Sequence, residues 1–462
     1  MRIVQIHAFY EAYLRTWYAK NPGLELESYQ QQHARLVHDG FSAGHLFSVA
    51  LRTQGYDSHL IVGNCLPMQS AWAHENGVPI TQHTTPLEVV CKQVDALQPD
   101  ILYCSDPITY DSRFVRMLKK RPSLVVGWRA ASIPAWSDFT AFDLILSNEA
   151  QSRQTAIKHG ADATEYFFPA FPEWIAQAVA DEPKRYDLVF CGQITAEHMR
   201  RAELVEQLAM AAQQTGAFTP AFFLKMAGNW NFTAAAPYIH AERWGLDFFR
   251  EIRRGRVGFN NVIDFAHGEA GNMRQFEVAG TGTMLLTPDH PSITQHFVPG
   301  KEVEVYTSFE DLVEKVIYYR THDEEREAIA QRGQQRCFKE HGLSVRSLEF
   351  LDLCSKYLRT AKITRQLPTE KPAQQILEES AAALNANKPE EGYLTALKAL
   401  KYHSAERNVH YLLGYALLRL NRIVEAVEAL SVEVSRFPDN QHAGDLYSQV
   451  RAITEKLSES RV

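Results

Sequence analysis

Two glutamates, Glu269 and Glu277, stand eight positions apart in GFNNVIDFAHGEAGNMRQFEVAGTGTMLL, the stretch from Gly258 to Leu286. The apolar run Val257 to Val262 predicts a buried strand and Thr283 to Thr287 predicts a second, so the polar Asp264 to Arg274 is a loop at strand ends. Asn272 is placed to cap a helix over Met273 to Ala279, which Gly280 and Gly282 stop before the next strand. A helix N-terminus in a strand, loop, helix unit presents unpaired amides and the positive end of the helix dipole, and phosphate is its usual occupant. Carboxylates repel phosphate. They pair instead with vicinal hydroxyls of a ribose or hexose, and a sugar nucleotide carries both groups. The structural alternative is that Glu277 caps its own helix start while Glu269 is solvated.

The elements that must position this stretch alternate along the chain. A strand over Arg2 to Ala8 carries His7 at its end, and the long polar and aromatic Phe9 to His38 is expected to hold a helix and a mobile lip. Gly40, Ser42 and Gly44 open a helix to about Gln54, and Ser58 to Val62 is a strand. A helix at Pro86 to Leu97, a strand at Ile101 to Cys104, a helix at Ser112 to Lys120 and strands at Leu124 to Trp128, Asp143 to Ser147 and Glu165 to Phe168 continue the pattern, which predicts a parallel sheet. Ligands of such sheets bind beyond the carboxyl ends of the strands, so His7, His45, Asp106 and Arg129 are candidates to face a ligand, each with a role as a loop cap as its alternative. Arg113, Arg116, Lys119, Lys120 and Arg121 make a basic helix that either touches an anionic membrane or acceptor or is a solvated face.

Pro172 to Arg185 loses the alternation and reads as a linker. A second sheet begins at Asp187 to Cys191, ended by Gly192-Gln193, and the next helix brings Arg200 and Arg201 near its start; Lys225 ends the strand Ala221 to Lys225. Ala361 to Ala373 is a second linker, and beyond it strand signals vanish. There, His410 to Asn440 places Leu413-Gly414, Ala416, Ala426, Leu430 and Pro438 as a tetratricopeptide repeat does, flanked by Gln374 to Ser404 and Gln441 to Leu457. Such a module binds a peptide, a protein partner or its own copy.

The order Asn260, Glu269, Asn272, Arg274, Phe276-Glu277, Gly280, Gly282, Leu285-Leu286-Thr287, Phe297, Gly300-Lys301-Glu302-Val303, Tyr306 and Leu312 resembles the C-terminal half of GT-B glycosyltransferases of the CgeB-like, group 1 type. The resemblance implies two Rossmann-like domains facing across a cleft, 1–180 on the acceptor side and 181–360 on the donor side, followed by the helical domain 373–462. It implies a hexosyltransferase that uses a nucleotide-diphosphate sugar and a glycan, lipid-linked or protein acceptor. Glu269 and Glu277 fit the E-x7-E pattern of retaining members, the second holding the ribose and the first the donor sugar, with Asn272, Arg274 and Gly280 in the same donor motif. In the family a Gly-Arg pair brackets the diphosphate; here Gly192 is followed by Gln193, which moves that contact to Arg200 or Lys225. An inverting enzyme would need a base, for which His7, His45 and Asp106 are the candidates. A sugar-nucleotide epimerase on the same fold and a decayed scaffold that recruits partners are the other readings.

Composition narrows the classes. A net charge of -7, from 48 basic and 55 acidic residues, argues against nucleic-acid binding through overall charge. The six cysteines form no C-x-x-C pair, which indicates neither zinc nor a disulfide framework. No D-x-D triplet, Walker loop or H-E-x-x-H occurs, so neither a metal nor another cofactor is expected. No apolar run approaches the roughly 18 residues of a membrane span. The expected location is the cytoplasm, with the inner face of the membrane as the place a basic helix would attach.

Overall fold

The computed structural model describes residues 1–81, 84–195, 198–261, 272–364 and 372–459. Among these residues twelve strands form two sheets. The first holds β1 (Ile3–His7), β2 (Ser58–Val62), β3 (Ile101–Cys104), β4 (Leu124–Trp128), β5 (Leu144–Ser147) and β6 (Thr164–Tyr166) in the order β2-β1-β3-β4-β5-β6. The second holds β7 (Tyr186–Ile194), β8 (Pro220–Met226), β9 (Ile239–Ala241), β10 (Gly255–Phe259), β11 (Met284–Pro288) and β12 (Glu304–Tyr306) in the order β12-β11-β10-β7-β8-β9. Two parallel six-stranded sheets with intervening helices, followed by a helical C-terminal region, are the GT-B class that the sequence implied. In the second sheet the chain runs outward from β7 through β8 and β9, then returns to build β10, β11 and β12 on the other side. The crevice at this reversal, between β7 and β10, is where such sheets bind ligands.

The second sheet is buried on both faces, so its strands are nearly all apolar. Alternate residues feed two cores. Leu188 and Phe190 of β7, Phe222 and Leu224 of β8, Val257 and Phe259 of β10 and Met284 and Leu286 of β11 join one. Val189, Cys191, Ala221, Phe223 and Leu285 join the other, against Phe171, Ile175, Phe249, Phe276 and Val278.

Two compact units divide the chain. One comprises Met1–Ile6, Cys91–Phe167 and Cys354–Val462; the other comprises His7–Val90 and Phe168–Leu353. In the latter, the segment expected to be a mobile lip is two helices, Glu11–Lys20 and Tyr29–His38, the second opened by a Ser28–Gln31 capping box. Phe9, Tyr13, Leu14, Trp17 and Leu36 are buried in one cluster, which fixes these helices. The expected helix from Gly40 to Gln54 is instead a 3-10 turn at Ala43–His45 and a shorter helix, Phe47–Thr53, because Ser42 adopts a left-handed φ of 61°. Pro172 to Arg185, expected as a linker, contains the helix Glu173–Ala178 with Ile175 and Ala176 buried.

The C-terminal helices Ala373–Asn385, Pro389–His403, Val409–Arg419, Ile423–Arg436 and Gln441–Glu459 pack on neighbours through small residues. A Cβ on Gly414 would stand 2.6 Å from Leu430, so glycine permits that helix crossing. These helices share a compact unit with β3 to β6 and are pinned to it by polar contacts. Tyr393 Oη and the Arg422 guanidinium both donate to the Trp136 carbonyl at 3.0 Å, Arg422 lies over the Trp136 ring, and Lys401 Nζ reaches Asp162 at 2.5 Å. Three of the five basic residues expected on a basic helix face are paired. Arg113 pairs with Asp111 and Glu425, Arg116 with Asp138, and Arg121 with Asp143; the helix ends at Met117. No described helix is long and apolar enough to cross a membrane.

Behind the helix Met273–Gly280 (below), His296 and His341 are buried among Phe168, Phe276 and Phe297. An arginine only donates, so His341 Nδ1 accepts from Arg346 at 3.2 Å and Nε2–H donates to the His296 carbonyl at 3.1 Å. Burial, with His341, Arg346 and Arg336 nearby, lowers His296 to about 4; burial, opposed by the backbone bond and reinforced by the same arginines, lowers His341 to about 4. The unfolded chain takes up these protons near pH 6.5 and the folded chain resists them down to about pH 4, so stability is complete above pH 6.5 and falls as pH drops through that window. The melting temperature should therefore fall from pH 7.5 to pH 4.5, and in His296→Gln the fall should be shallower. At the other end of the chain, Arg422→Ala should cost about 2 kcal/mol of the helical region's attachment, the worth of a charged hydrogen bond. Urea unfolding followed by Trp136 fluorescence measures it.

Candidate functional site at the strand ends of the second sheet

Parallel strands leave carbonyls unpaired where they end, and at the reversal between β7 and β10 one arginine satisfies two of them. Arg201 is buried and donates to the Gln193 carbonyl at 2.8 Å and to the Asn261 carbonyl at 3.1 Å, with its guanidinium over the Phe190 ring. Arg200, the residue singled out from the sequence, is exposed on the same helix, Met199–Thr215. Successive helical residues point about 100° apart, so one of the two must face inward, and the sequence does not say which. Gly192 lies inside β7, which runs on to Ile194 instead of ending at Gly192-Gln193.

The helix expected from the sequence forms as Met273–Gly280. Asn272 occupies its N-cap position but its side chain makes no cap bond. Its amide donates instead to Asn260 Oδ1 at 2.9 Å and to the Asn261 carbonyl at 3.3 Å. Asn260 in turn donates to Thr287 Oγ1 at 2.9 Å, so β10, β11 and the helix start are tied together. The Asn272 side chain thus does not cap the amides of the first helical turn. At the far end Gly280 packs flush on Phe171, whose ring a Cβ would meet at 2.3 Å.

Arg274 and Glu277 project from the first turns as an ion pair, Arg274 Nη1 donating to Glu277 Oε2 at 2.7 Å, with 15% and 18% of their side chains exposed. Burial raises the Glu277 carboxyl above its ordinary value, and Arg274 opposes that rise. The guanidinium also lies over Phe248 at 4.6 Å. The pair offers a fixed cation and a carboxylate one helical turn apart. Glu269, its sequence partner, lies outside the described residues.

Residues from the first strand's end belong to the same compact unit. His7 is buried, its Nε2 is 3.0 Å from Ser42 Oγ, and its Nδ1 has no hydrogen-bond partner. Burial, then the nearby His45, lowers it to about 3; burial lowers His45 to about 4. Both imidazoles are neutral at pH 7 and are weak bases. The Gly44 carbonyl accepts from Ala170 N at 2.9 Å, and a Cβ at Gly44 would meet the Ala170 carbonyl at 2.2 Å and Met273 Cε at 2.9 Å. The glycine loop therefore abuts the first residue of the helix that carries Arg274.

Lys225, at the carboxyl end of β8, stands in register beside Gln193 of β7. Its ammonium lies 5.0 Å from the Tyr10 ring and 5.4 Å from the Trp244 ring. Asp106 belongs to the other unit, where its carboxylate accepts from Ile108 N, Thr109 N and Thr109 Oγ1 and closes a turn. Arg129 there donates to the Ser132 carbonyl. Sequence reasoning missed Arg201, Ser42 and Asn261. Only Arg201 carried a signal, as half of an Arg-Arg pair at a helix start.

Comparison with curated proteins found no match. Solved structures similar to the chain include Anabaena HepE in complex with UDP and glucose, at 10% identity over 77% of this chain and 100% of that one, TM-score 0.48. A glycosyltransferase from Rickettsia africae is similar at 10% identity over 77% and 98%, TM-score 0.47. Sucrose-phosphate synthase from Thermosynechococcus elongatus is similar at 9% identity over 78% and 100%, TM-score 0.44. Residues 200–352, the segment that holds Arg201, Lys225, Arg274 and Glu277, match the family model described as "Glycosyl transferase-like".

Proposed function

We propose that the protein is a glycosyltransferase that moves a sugar from a nucleotide-diphosphate sugar to an acceptor hydroxyl. The observation that carries this reading is the Arg274–Glu277 pair on a helix whose N-terminus is free of a side-chain cap, at the reversal point of a parallel sheet within the matched segment. In this reading the first-turn amides and Arg274 take the diphosphate, Glu277 holds the ribose and Glu269 acts on the donor sugar. Catalysis comes from orientation and from stabilising the leaving diphosphate.

The reaction is proposed to retain configuration. An inverting transferase needs a base poised near the working pH, and His7 at about 3 and His45 at about 4 are far from it. A retaining one needs none, and His7 Nδ1 then serves as a neutral hydrogen-bonding group toward a sugar or acceptor hydroxyl. A divalent metal is not required, since Arg274 and the helix dipole supply the positive charge and the chain has no D-x-D triplet.

Calorimetric titration with UDP, GDP and ADP, followed by product analysis with the matching sugar nucleotides, tests the reading; binding of none of them would overturn it. A hydrogen bond to a charged group is worth roughly 1.5 to 3 kcal/mol, so Glu277→Ala should weaken the bound nucleoside diphosphate about ten- to a hundredfold. Glu269→Ala should leave that affinity nearly unchanged and lower turnover of the full donor, because contacts to the sugar strengthen as the glycosidic bond breaks. Turnover in excess EDTA should match turnover with added magnesium or manganese.

A further inference from the structure

Lys225 is unlike the other half-buried cations of its unit. Arg250, Arg254 and Arg256 each have a carboxylate and Lys184 and Arg253 have backbone carbonyls, whereas among the described residues Lys225 has only the faces of Tyr10 and Trp244. Those two rings meet edge to face at 6.1 Å. Phe41 backs both, 5.7 Å from Tyr10 and 5.1 Å from Trp244, and Tyr13 backs Phe41 at 4.1 Å. Tyr13 Oη donates to Asp39 Oδ2 at 2.8 Å while the Asp39 carbonyl accepts from Leu246 N at 2.7 Å, which locks the helix Glu11–Lys20 to the residue pair after Trp244. The wall is rigid, yet Tyr10 is 56% exposed. Phe41 also touches Phe9, and Phe9 touches His7, whose buried Nδ1 is unpartnered, so the wall is continuous with the groups assigned above to the sugar or acceptor.

An exposed aromatic face suits the C–H face of a pyranose, and a lysine ammonium held against rings rather than a carboxylate keeps its charge for a ligand anion. We infer that Tyr10, Trp244 and Lys225 form a subsite for an anionic sugar of the acceptor, the ring stacking on Tyr10 and Trp244 and the carboxylate or phosphate pairing with Lys225. This rests on the transferase reading and names its acceptor class.

Saturation-transfer NMR on the full chain, with methyl glucuronide, glucose 6-phosphate and methyl glucoside as probes, tests the inference. At least one anionic probe should bind about tenfold or more tightly than the neutral glucoside, and which one does so distinguishes uronate from phosphate. Lys225→Met should abolish that preference. Tyr10→Ala should weaken every probe while leaving nucleoside diphosphate affinity unchanged, and Tyr10→Phe should restore saccharide binding, which separates stacking from a folding defect. Equal binding of the three probes, binding of none, or a Lys225→Met variant that loses nucleoside diphosphate and keeps saccharide would each overturn the subsite, the last by returning Lys225 to the donor. Loss of nucleotide binding in the unmodified protein would instead sink the transferase reading, whatever the saccharides do.

Discussion

The constraint on which the second sheet's ligand edge depends is the satisfaction of strand-end carbonyls where the chain reverses. A buried carbonyl without a donor costs roughly 1 to 3 kcal/mol. Arg201 supplies two bonds from a single guanidinium, reaching Gln193 and Asn261. Asn272 adds a third link through Asn260 and the same Asn261 carbonyl. The edge is thereby rigid before any ligand arrives, and the Asn272 side chain is committed to it instead of capping the helix Met273–Gly280. Pre-ordering of that kind lowers the cost of fixing a polyanion there.

The first strand's end is arranged by different physics. His7 and Ser42 are held in a dry setting where ionisation is disfavoured, and Gly44 lets the loop lie against Ala170 and Met273 without a side chain between them. The two histidines thus contribute shape and neutral hydrogen bonding rather than charge. The cations lie elsewhere, in Arg274 and Lys225, each held by aromatic faces that restrict where it points.

Much of this architecture was legible in the sequence because buried parallel strands are short apolar runs bounded by turns. Ser58–Val62, Ile101–Cys104 and Leu124–Trp128 were readable to the residue for that reason. The donor helix was legible from Asn272 through Gly280, and the Arg274–Glu277 spacing of three puts both on one face. What was not legible depended on contacts far apart in sequence. Lys225 meets Tyr10 across more than two hundred positions, Arg113 meets Glu425 across three hundred, and neither pairing leaves a local pattern. The helix Glu173–Ala178 was hidden by prolines and charges at its borders, and Ser42's left-handed turn by its residue type, which seldom adopts that conformation.

The interleaving of the two compact units sets an order of events during synthesis. The unit containing the helix Met273–Gly280 is made from His7–Val90 and Phe168–Leu353, all of which is translated before the segment Cys354–Val462. The other unit is assembled from the first six residues, a middle segment and those last residues. Its Trp136 carbonyl and Asp162 therefore wait for Tyr393, Arg422 and Lys401 to emerge, and Arg113, already paired with Asp111, waits for Glu425. At elongation rates of about 5 to 20 residues per second the interval is several seconds, long against the folding time of a small domain. The nascent chain passes through a stage in which the unit built from His7–Val90 and Phe168–Leu353 is complete and the other carries an uncovered tryptophan, the stage at which a chaperone has something to hold.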